Sequence, residues 1–217
     1  MSYVHSPFKR VFDLLLAVPL AIVALPLAAL VALFVLATLG PPVLFRQRRP
    51  GRGGETFVLV KFRSMSRAVD PDGRPLPDAE RLGRFGRLLR RSSLDELPEL
   101  YNVLRGDMSL VGPRPLLTCY LERYTPRQAR RHEVRPGLTG WAVVQGRNAI
   151  DWPQRLELDV WYVENASLWL DAKILAMTVL LVLSGRGVAA GGEASMSEFR
   201  GGAEPGHATT DEAEDRR

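Results

Sequence analysis

From Leu14 to Ala37 the chain runs 24 residues with no charge and almost no polar group; Lys9, Arg10 and Asp13 stand just before it. At about 1.5 Å rise per residue, a helix of this length crosses the roughly 30 Å hydrocarbon core of a bilayer. A soluble helix this long would carry a polar face, so membrane embedding is predicted. The run is too long for a cleaved signal peptide, and no small-x-small cleavage site precedes a hydrophilic start. Pro19 and Pro26 interrupt it, and each can kink a helix. Basic residues flank both ends: Lys9 and Arg10 before, Arg46, Arg48, Arg49 and Arg52 after. The positive-inside rule places both flanks on the cytoplasmic side. A helix that enters, bends near Pro26 and returns satisfies this. A tilted single-pass helix also tolerates proline. The pattern alone leaves both open.

Beyond the apolar run the periodicity shortens. TFVLVKF (Thr56 to Phe62) reads as a strand, and the preceding Pro50-Gly51-Arg52-Gly53-Gly54 reads as a turn. Together they predict a small β-hairpin. RLGRFGRLLRR (Arg81 to Arg91) places Leu82, Phe85 and Leu88/Leu89 at helical spacing between arginines. That suits a helix lying in the membrane interface, or equally one packing its apolar side on a core. The last stretch is rich in Gly, Ala and Glu without apolar periodicity, and is read as mostly disordered or loosely attached. The organisation expected is a membrane segment (1–40), a working body (41–184) and a tail (185–217). The fold class expected is α+β, mainly helical, with interfacial amphipathic helices and one hairpin.

Charge sharpens this layout. Of 217 residues, 29 are Lys or Arg and 24 Asp or Glu, a net charge of +5. Between Pro41 and Arg135 the basic excess is nine, whereas the tail carries four basic and seven acidic residues. The positive charge therefore follows the membrane segment directly, where anionic lipid is met. An apolar fraction of 46% argues against wholesale disorder. The single cysteine, Cys119, excludes an intrachain disulfide and a multi-cysteine zinc site, and His5, His132 and His207 show no metal-ligand spacing.

Candidate chemistry concentrates in RRSSLDELPELYNVL (Arg90 to Leu104). Asp95 and Glu96 are adjacent carboxylates just before Pro98. The bland reading is that Asp95 caps a helix, Glu96 complements its dipole and Pro98 sits in the first turn. The sharper reading uses Arg90 and Arg91 upstream. A helix start with arginines nearby holds a phosphate, and a carboxylate there can act as nucleophile or bind Mg²⁺. In Gly112-Pro113-Arg114-Pro115, two prolines put a guanidinium on a stiff turn suited to bidentate phosphate contact; a rigid connector is the alternative. Pro136 to Trp141, then Gln145-Gly146-Arg147-Asn148, form a third cluster. Its glycines permit close backbone approach to a ligand, and a simple turn is the alternative. Trp161, Tyr162 and Trp169 read as core or interfacial anchors.

Six strings occur in order: KRVFD (Lys9 to Asp13), FRQRRPGRGGETF (Phe45 to Phe57), KFRSM (Lys61 to Met65), RRSSLDELPELYNVLRGDMSLVGPRP (Arg90 to Pro115), RPGLTGWAVVQGRNAI (Arg135 to Ile150) and LDVWYVENASLWLDAKI (Leu158 to Ile174). In this order the chain resembles the monotopic phosphoglycosyl transferases, bacterial sugar transferases, in their minimal short form. The likeness spans roughly Phe8 to Leu183. It implies transfer of a sugar-1-phosphate from a UDP-sugar to undecaprenyl phosphate, with release of UMP, to begin a lipid-linked glycan. It implies that Asp95 forms a phosphosugar-aspartyl intermediate, that Glu96 completes the dyad, and that Mg²⁺ sits near Asp95. Arg114 would hold phosphate, with Lys61, Arg63, Arg90, Arg147 and Asn148 as weaker substrate contacts. The resemblance favours the re-entrant helix, bent at Pro26, on the cytoplasmic face of the bacterial inner membrane with both termini cytoplasmic. The family's Ser-Pro pair is Leu25-Pro26 here, so proline alone must supply the break. Val143 and Gln145 also depart from the family's loop pattern. SMSEFRG in the tail is weakly similar to members that act on modified amino sugars.

Competing classes make different demands. A membrane scaffold needs the basic face but not the dyad. A nucleic-acid binder would use the basic excess, yet no recognition motif is present and no nucleic-acid partner is expected. A two-carboxylate glycosidase is disfavoured, because adjacent Asp95 and Glu96 cannot flank one bond across about 5 Å or more. The partners expected are the UDP-sugar, undecaprenyl phosphate and membrane lipids; a homo-oligomer is left open, as is the identity of the sugar.

Overall fold

A computed structural model describes residues 3–146, 150–184 and 198–201. The architecture is α+β and mainly helical, as expected. A helix, α1 (Pro7–Leu39), is followed by β1 (Leu44–Pro50) and β2 (Thr56–Phe62). Then come α2 (Asp78–Arg81), α3 (Arg84–Ser92), α4 (Glu99–Arg105) and β3 (Ser109–Val111). The described chain continues through α5 (Pro126–Ala129), β4 (Gly137–Thr139), α6 (Trp141–Gly146), α7 (Trp152–Asn165) and α8 (Leu168–Ser184).

Helix α1 begins earlier than its apolar run because the start signals lie upstream. Ser6 accepts from the Lys9 amide at 3.3 Å, and Pro7 fills the first turn. At the other end Gly40 takes φ +71° and Arg63 donates to the carbonyls of Leu39, Gly40 and Pro41. The last carbonyls of a helix have no internal partner, and a guanidinium there also complements the dipole. Arg63, expected at a substrate, is thus a helix-ending residue.

The two sides of α1 are composed the opposite way from a soluble helix. Buried or half-buried positions facing the body are mostly small: Ala17, Ala21, Ala24, Ala28 and Ala32, with Val31 and Val35. Leu15, Ile22, Val23, Leu25 and Leu33 point outward, Val23 at 76% exposure. Small residues let the helix approach the body closely, while large apolar ones face out. That outward face fits membrane association. Ala17, Ala21 and Ala24 belong to one core cluster and Ala28, Val31, Ala32 and Val35 to another, so Pro26 falls at the changeover.

The expected hairpin is present: β1 pairs antiparallel with β2 from Leu44↔Phe62 to Pro50↔Thr56. A second pairing, β3 with β4, is parallel and too short to announce itself in sequence. It needs Gly137, where a Cβ would lie 2.1 Å from the Gly112 amide nitrogen. The helix expected over Arg81 to Arg91 is two helices, because the chain turns at Leu82 and Gly83. In α3, Gly86 faces the Ser64 carbonyl at a distance no side chain allows, 1.9 Å from an added Cβ. Leu88 and the arginines Arg84, Arg87 and Arg91 occupy its outer side.

Most of the tail lies outside the described residues, but 198–201 do not fit loose attachment. Phe199 is buried among Tyr120, Tyr124 and Trp152, with ring centroids 5.4–5.5 Å away, and its amide donates to the Tyr120 hydroxyl at 3.2 Å. An aromatic side chain entering a ring-lined pocket offsets the entropy of holding a short segment.

Candidate active site

The Asp95-Glu96 pair sits in a tight turn between α3 and α4. Ser93 ends α3 with φ +57°, reversing the chain into a 3₁₀ turn over Leu94–Glu96. A non-glycine residue in this region is strained by about 1–2 kcal/mol, a cost found more often at functional turns than elsewhere. Asp95 therefore does not cap a helix: α4 starts at Glu99 behind Pro98, with no side-chain cap. The turn buries Asp95 to 7% exposure.

Neighbouring elements supply the charges. Lys61, near the end of β2, places its Nζ 2.9 Å from Glu96 Oε1 and 2.8 Å from Glu99 Oε1. Arg114, in the Gly-Pro-Arg-Pro loop after β3, closes on Glu96 with both Nη atoms. Its own position is fixed from behind. Arg131 donates to the Arg114 carbonyl at 2.7 Å while paired with Asp159 of α7, at 2.7 and 3.0 Å. Asn102 joins α4 to β2. It accepts from the Val60 amide at 3.1 Å and donates to the Val58 carbonyl at 2.8 Å, as a third strand would. Lys61 and the acidic turn are thus locked in register. Arg90 donates to Ser64 Oγ at 3.0 Å and adds positive potential at Asp95.

These surroundings separate the three carboxylates. Burial, then the adjacent Glu96 charge, pushes Asp95 up to about 6. Burial likewise raises Glu99 to about 7, against the pull of Lys61. Burial would raise Glu96 too, but Arg114 and Lys61 overcome it and hold Glu96 well below the usual carboxylate range. Among the described residues Asp95 makes no hydrogen bond or ion pair. One carboxylate is therefore a committed counter-ion, and its neighbour is buried, unpartnered and poised between charge states.

Divalent metal is a partial fit. No group of three or more His, Cys, Asp and Glu that could hold an ion occurs among the described residues. Glu96 is occupied by cations. Asp95 alone is open, which suits Mg²⁺ held by one carboxylate and mainly by substrate phosphates.

Of the residues singled out in sequence, the structure brings Asp95, Glu96, Lys61 and Arg114 together, with Arg90 close by. Arg63 is engaged at the end of α1. Arg147 and Asn148 lie outside the described residues. Sequence reasoning missed Glu99, Asn102 and Arg131. Glu99 had a signal, since a residue three positions after Glu96 shares its helical face; Arg131 had none, because its partners are remote in sequence.

With this geometry in place, comparison with known proteins gives the class. Residues 4–185 match the family model for bacterial sugar transferases, and the chain belongs to that family. It is 51% identical over 197 residues to an uncharacterized sugar transferase, EpsL, of Bacillus subtilis (strain 168), covering 89% of this chain and 96% of that protein. It is 44% identical over 188 residues to the UDP-glucose:undecaprenyl-phosphate glucose-1-phosphate transferase of Caulobacter vibrioides, covering 81% of this chain and 70% of that one. It is also 40% identical over 193 residues to the undecaprenyl-phosphate galactose phosphotransferase of Salmonella typhimurium, covering 81% of this chain but 40% of the relative.

Proposed function

We propose that the protein transfers a sugar-1-phosphate from a UDP-sugar to undecaprenyl phosphate through a covalent intermediate on Asp95. The observation that carries the covalent step is the unpartnered, buried Asp95 carboxylate beside a Glu96 fully engaged by Arg114 and Lys61. The relatives' activities support the overall reaction. An Asp95 oxygen attacks the β-phosphorus of the UDP-sugar, the bond to the bridging oxygen breaks, and UMP departs. An oxygen of the lipid phosphate then attacks the same phosphorus and Asp95 leaves as carboxylate, giving a polyprenyl-diphosphate sugar. Arg114 and Lys61 would neutralise the phosphate charge that develops beside Asp95, and such positioning and neutralisation is the main protein contribution to phosphoryl transfer. Asp95, together with substrate phosphates, would hold Mg²⁺, which would supply further neutralisation of the diphosphate.

The two halves of α1 pack on the same body on either side of Pro26, and the outward face is apolar. This supports a helix that enters the bilayer and returns, with the body and both termini on the cytoplasmic face, over one that leaves its far end across the membrane. The acidic turn then meets a soluble nucleotide and a lipid phosphate at one surface.

The test is a single-turnover assay in nanodiscs across a panel of UDP-sugars, first without lipid acceptor. A burst of UMP matched to enzyme, with the protein's mass increased by one phosphosugar, is expected, and Asp95→Asn should show neither. UMP release that strictly requires undecaprenyl phosphate would sink the covalent route while leaving the transfer reaction standing.

A further inference from the structure

The positive charge of the site does not end at the two cations already described. In the antiparallel hairpin, Lys61 stands opposite Phe45 and Arg49 opposite Phe57. Side chains two residues apart share a face, so Arg49 lies on the face that carries Lys61 and the buried Leu59. The Arg114 guanidinium is close enough for its charge to act on Arg49. Arg49 is half-buried, and its Nε is shut off from solvent without a hydrogen-bond partner. Its one side-chain hydrogen bond goes to the neutral Gln47 amide oxygen, at 2.7 Å. Among the described residues no carboxylate lies within ion-pair distance of it. Burial and the Arg114 charge both act against its protonated form, only partly offset by the Glu99 charge.

A guanidinium taken out of water beside another, without a counter-ion, costs stability. Arg114 and Arg131, by contrast, each have a carboxylate within ion-pair distance, Glu96 and Asp159. We propose that Arg49 is a second anion-holding residue of this site, whose counter-ion is a phosphate of the substrate, foremost the nucleoside diphosphate. This rests on the reading under Proposed function and extends it to a residue outside the dyad and its two cations. The planar fork suits two phosphate oxygens, as a lysine's single point charge does not. Arg114 and Arg49 would then share a diphosphate, one nearer Asp95 and one further along the hairpin.

The experiment measures UDP binding by calorimetry on the full chain in nanodiscs, together with the KM for undecaprenyl phosphate and the Tm without ligand. The variants are Arg49→Gln and Arg49→Lys. For Arg49→Gln, UDP binding is expected to weaken at least about tenfold. Its ligand-free Tm should be equal to or above wild type, since an uncompensated charge has been removed. Arg49→Lys should recover part of the affinity. A rise in the lipid KM with UDP binding unchanged would keep the phosphate role and assign it to the lipid substrate. UDP affinity and lipid KM both within twofold of wild type overturn the proposal. So does a fall in Tm that tracks the loss of binding and is repaired by lysine, the signature of a structural arginine. Failure of the wild type itself to bind UDP or release UMP is a separate result, and strikes the functional reading.

Discussion

Two buried charge clusters differ in how completely their charges are matched. The first joins α1 to the body. Lys9 lies 2.8 Å from Asp13 and 2.7 Å from Asp171, all three nearly inaccessible. Asp171 also accepts from the hydroxyls of Tyr3 and Tyr162, at 2.9 and 2.7 Å. Asp13 accepts from Ser109 Oγ at 2.8 Å and the Leu110 amide at 3.3 Å. Every carboxylate oxygen is occupied. In the second cluster Glu96 is as well served, but Asp95 has no partner and Glu99 shares one ammonium with Glu96. A filled network holds elements together, and an incomplete one keeps a reactive group available at some cost in stability.

The sharpest way to break this comparison is to neutralise one aspartate in each cluster. Asp95→Asn should lower UMP release by at least about 10³-fold, as loss of a nucleophile does. Its Tm should hold or rise, because an unpaired buried carboxylate is gone. In the wild type the same group makes the single-turnover rate climb as pH rises through about 6, where Asp95 loses its proton. An unchanged rate in Asp95→Asn would remove the residue from the chemistry.

Asp171→Asn should behave in the opposite sense. Lys9 keeps only Asp13, and a buried pair broken on one side costs about 3–5 kcal/mol. For a folded body of this size that is a fall in Tm on the order of 10 °C. Residual enzyme, assayed below its new Tm, should retain UMP release within a few-fold. A loss of activity at unchanged Tm would show the first cluster to be more than an anchor.

The contrast also explains what could be read from the chain. Helix α1, the hairpin and the dyad were legible because their signals are local: an uncharged run, alternation with a glycine turn, and two adjacent carboxylates before a proline. The place of Arg63 at the end of α1 was not legible, because an arginine near a motif looks the same whether it meets a phosphate or helix carbonyls 22–24 residues away. The alternative reading of Asp95 as a helix cap rests on capping being a common use of an aspartate before a helix. Only the left-handed Ser93 reveals the 3₁₀ turn, and serine carries no sign of it. Lys9 and Asp13 stood in a recognisable string, but their third partner, Asp171, lies about 160 residues on. Phe199 was hidden in a tail whose composition speaks for disorder.

Asn102 braces the second cluster by tying α4 to β2, and its loss should give a smaller effect. Asn102→Ala leaves the Val60 amide and Val58 carbonyl without their side-chain partner, at about 1–3 kcal/mol. Because β2 carries Lys61, UMP release should fall as well, though far less than in Asp95→Asn. A reduced Tm with wild-type kinetics would mean that Lys61 keeps its place without this brace.

The smallest expected effect tests whether the second cluster is strained by charge, and its sign can be worked out. Burial raises Glu99 to about 7 from the 4.5 of an ordinary glutamate. Between those values the unfolded chain has lost the proton and the folded protein keeps it. Stability from this group therefore declines as pH rises from about 4.5 to about 7, and is level above that. Glu99→Gln lacks the decline, so its Tm curve between pH 5 and pH 8 should be flatter than wild type. One pKa unit corresponds to about 1.4 kcal/mol, and the variant gives up the ion pair with Lys61. The net relative gain at pH 8 should be on the order of 1 kcal/mol, about 2–4 °C in Tm. Parallel curves would mean that Lys61 neutralises Glu99 as fully as Lys9 neutralises Asp13 in the first cluster, and the distinction between the two would then rest on Asp95 alone.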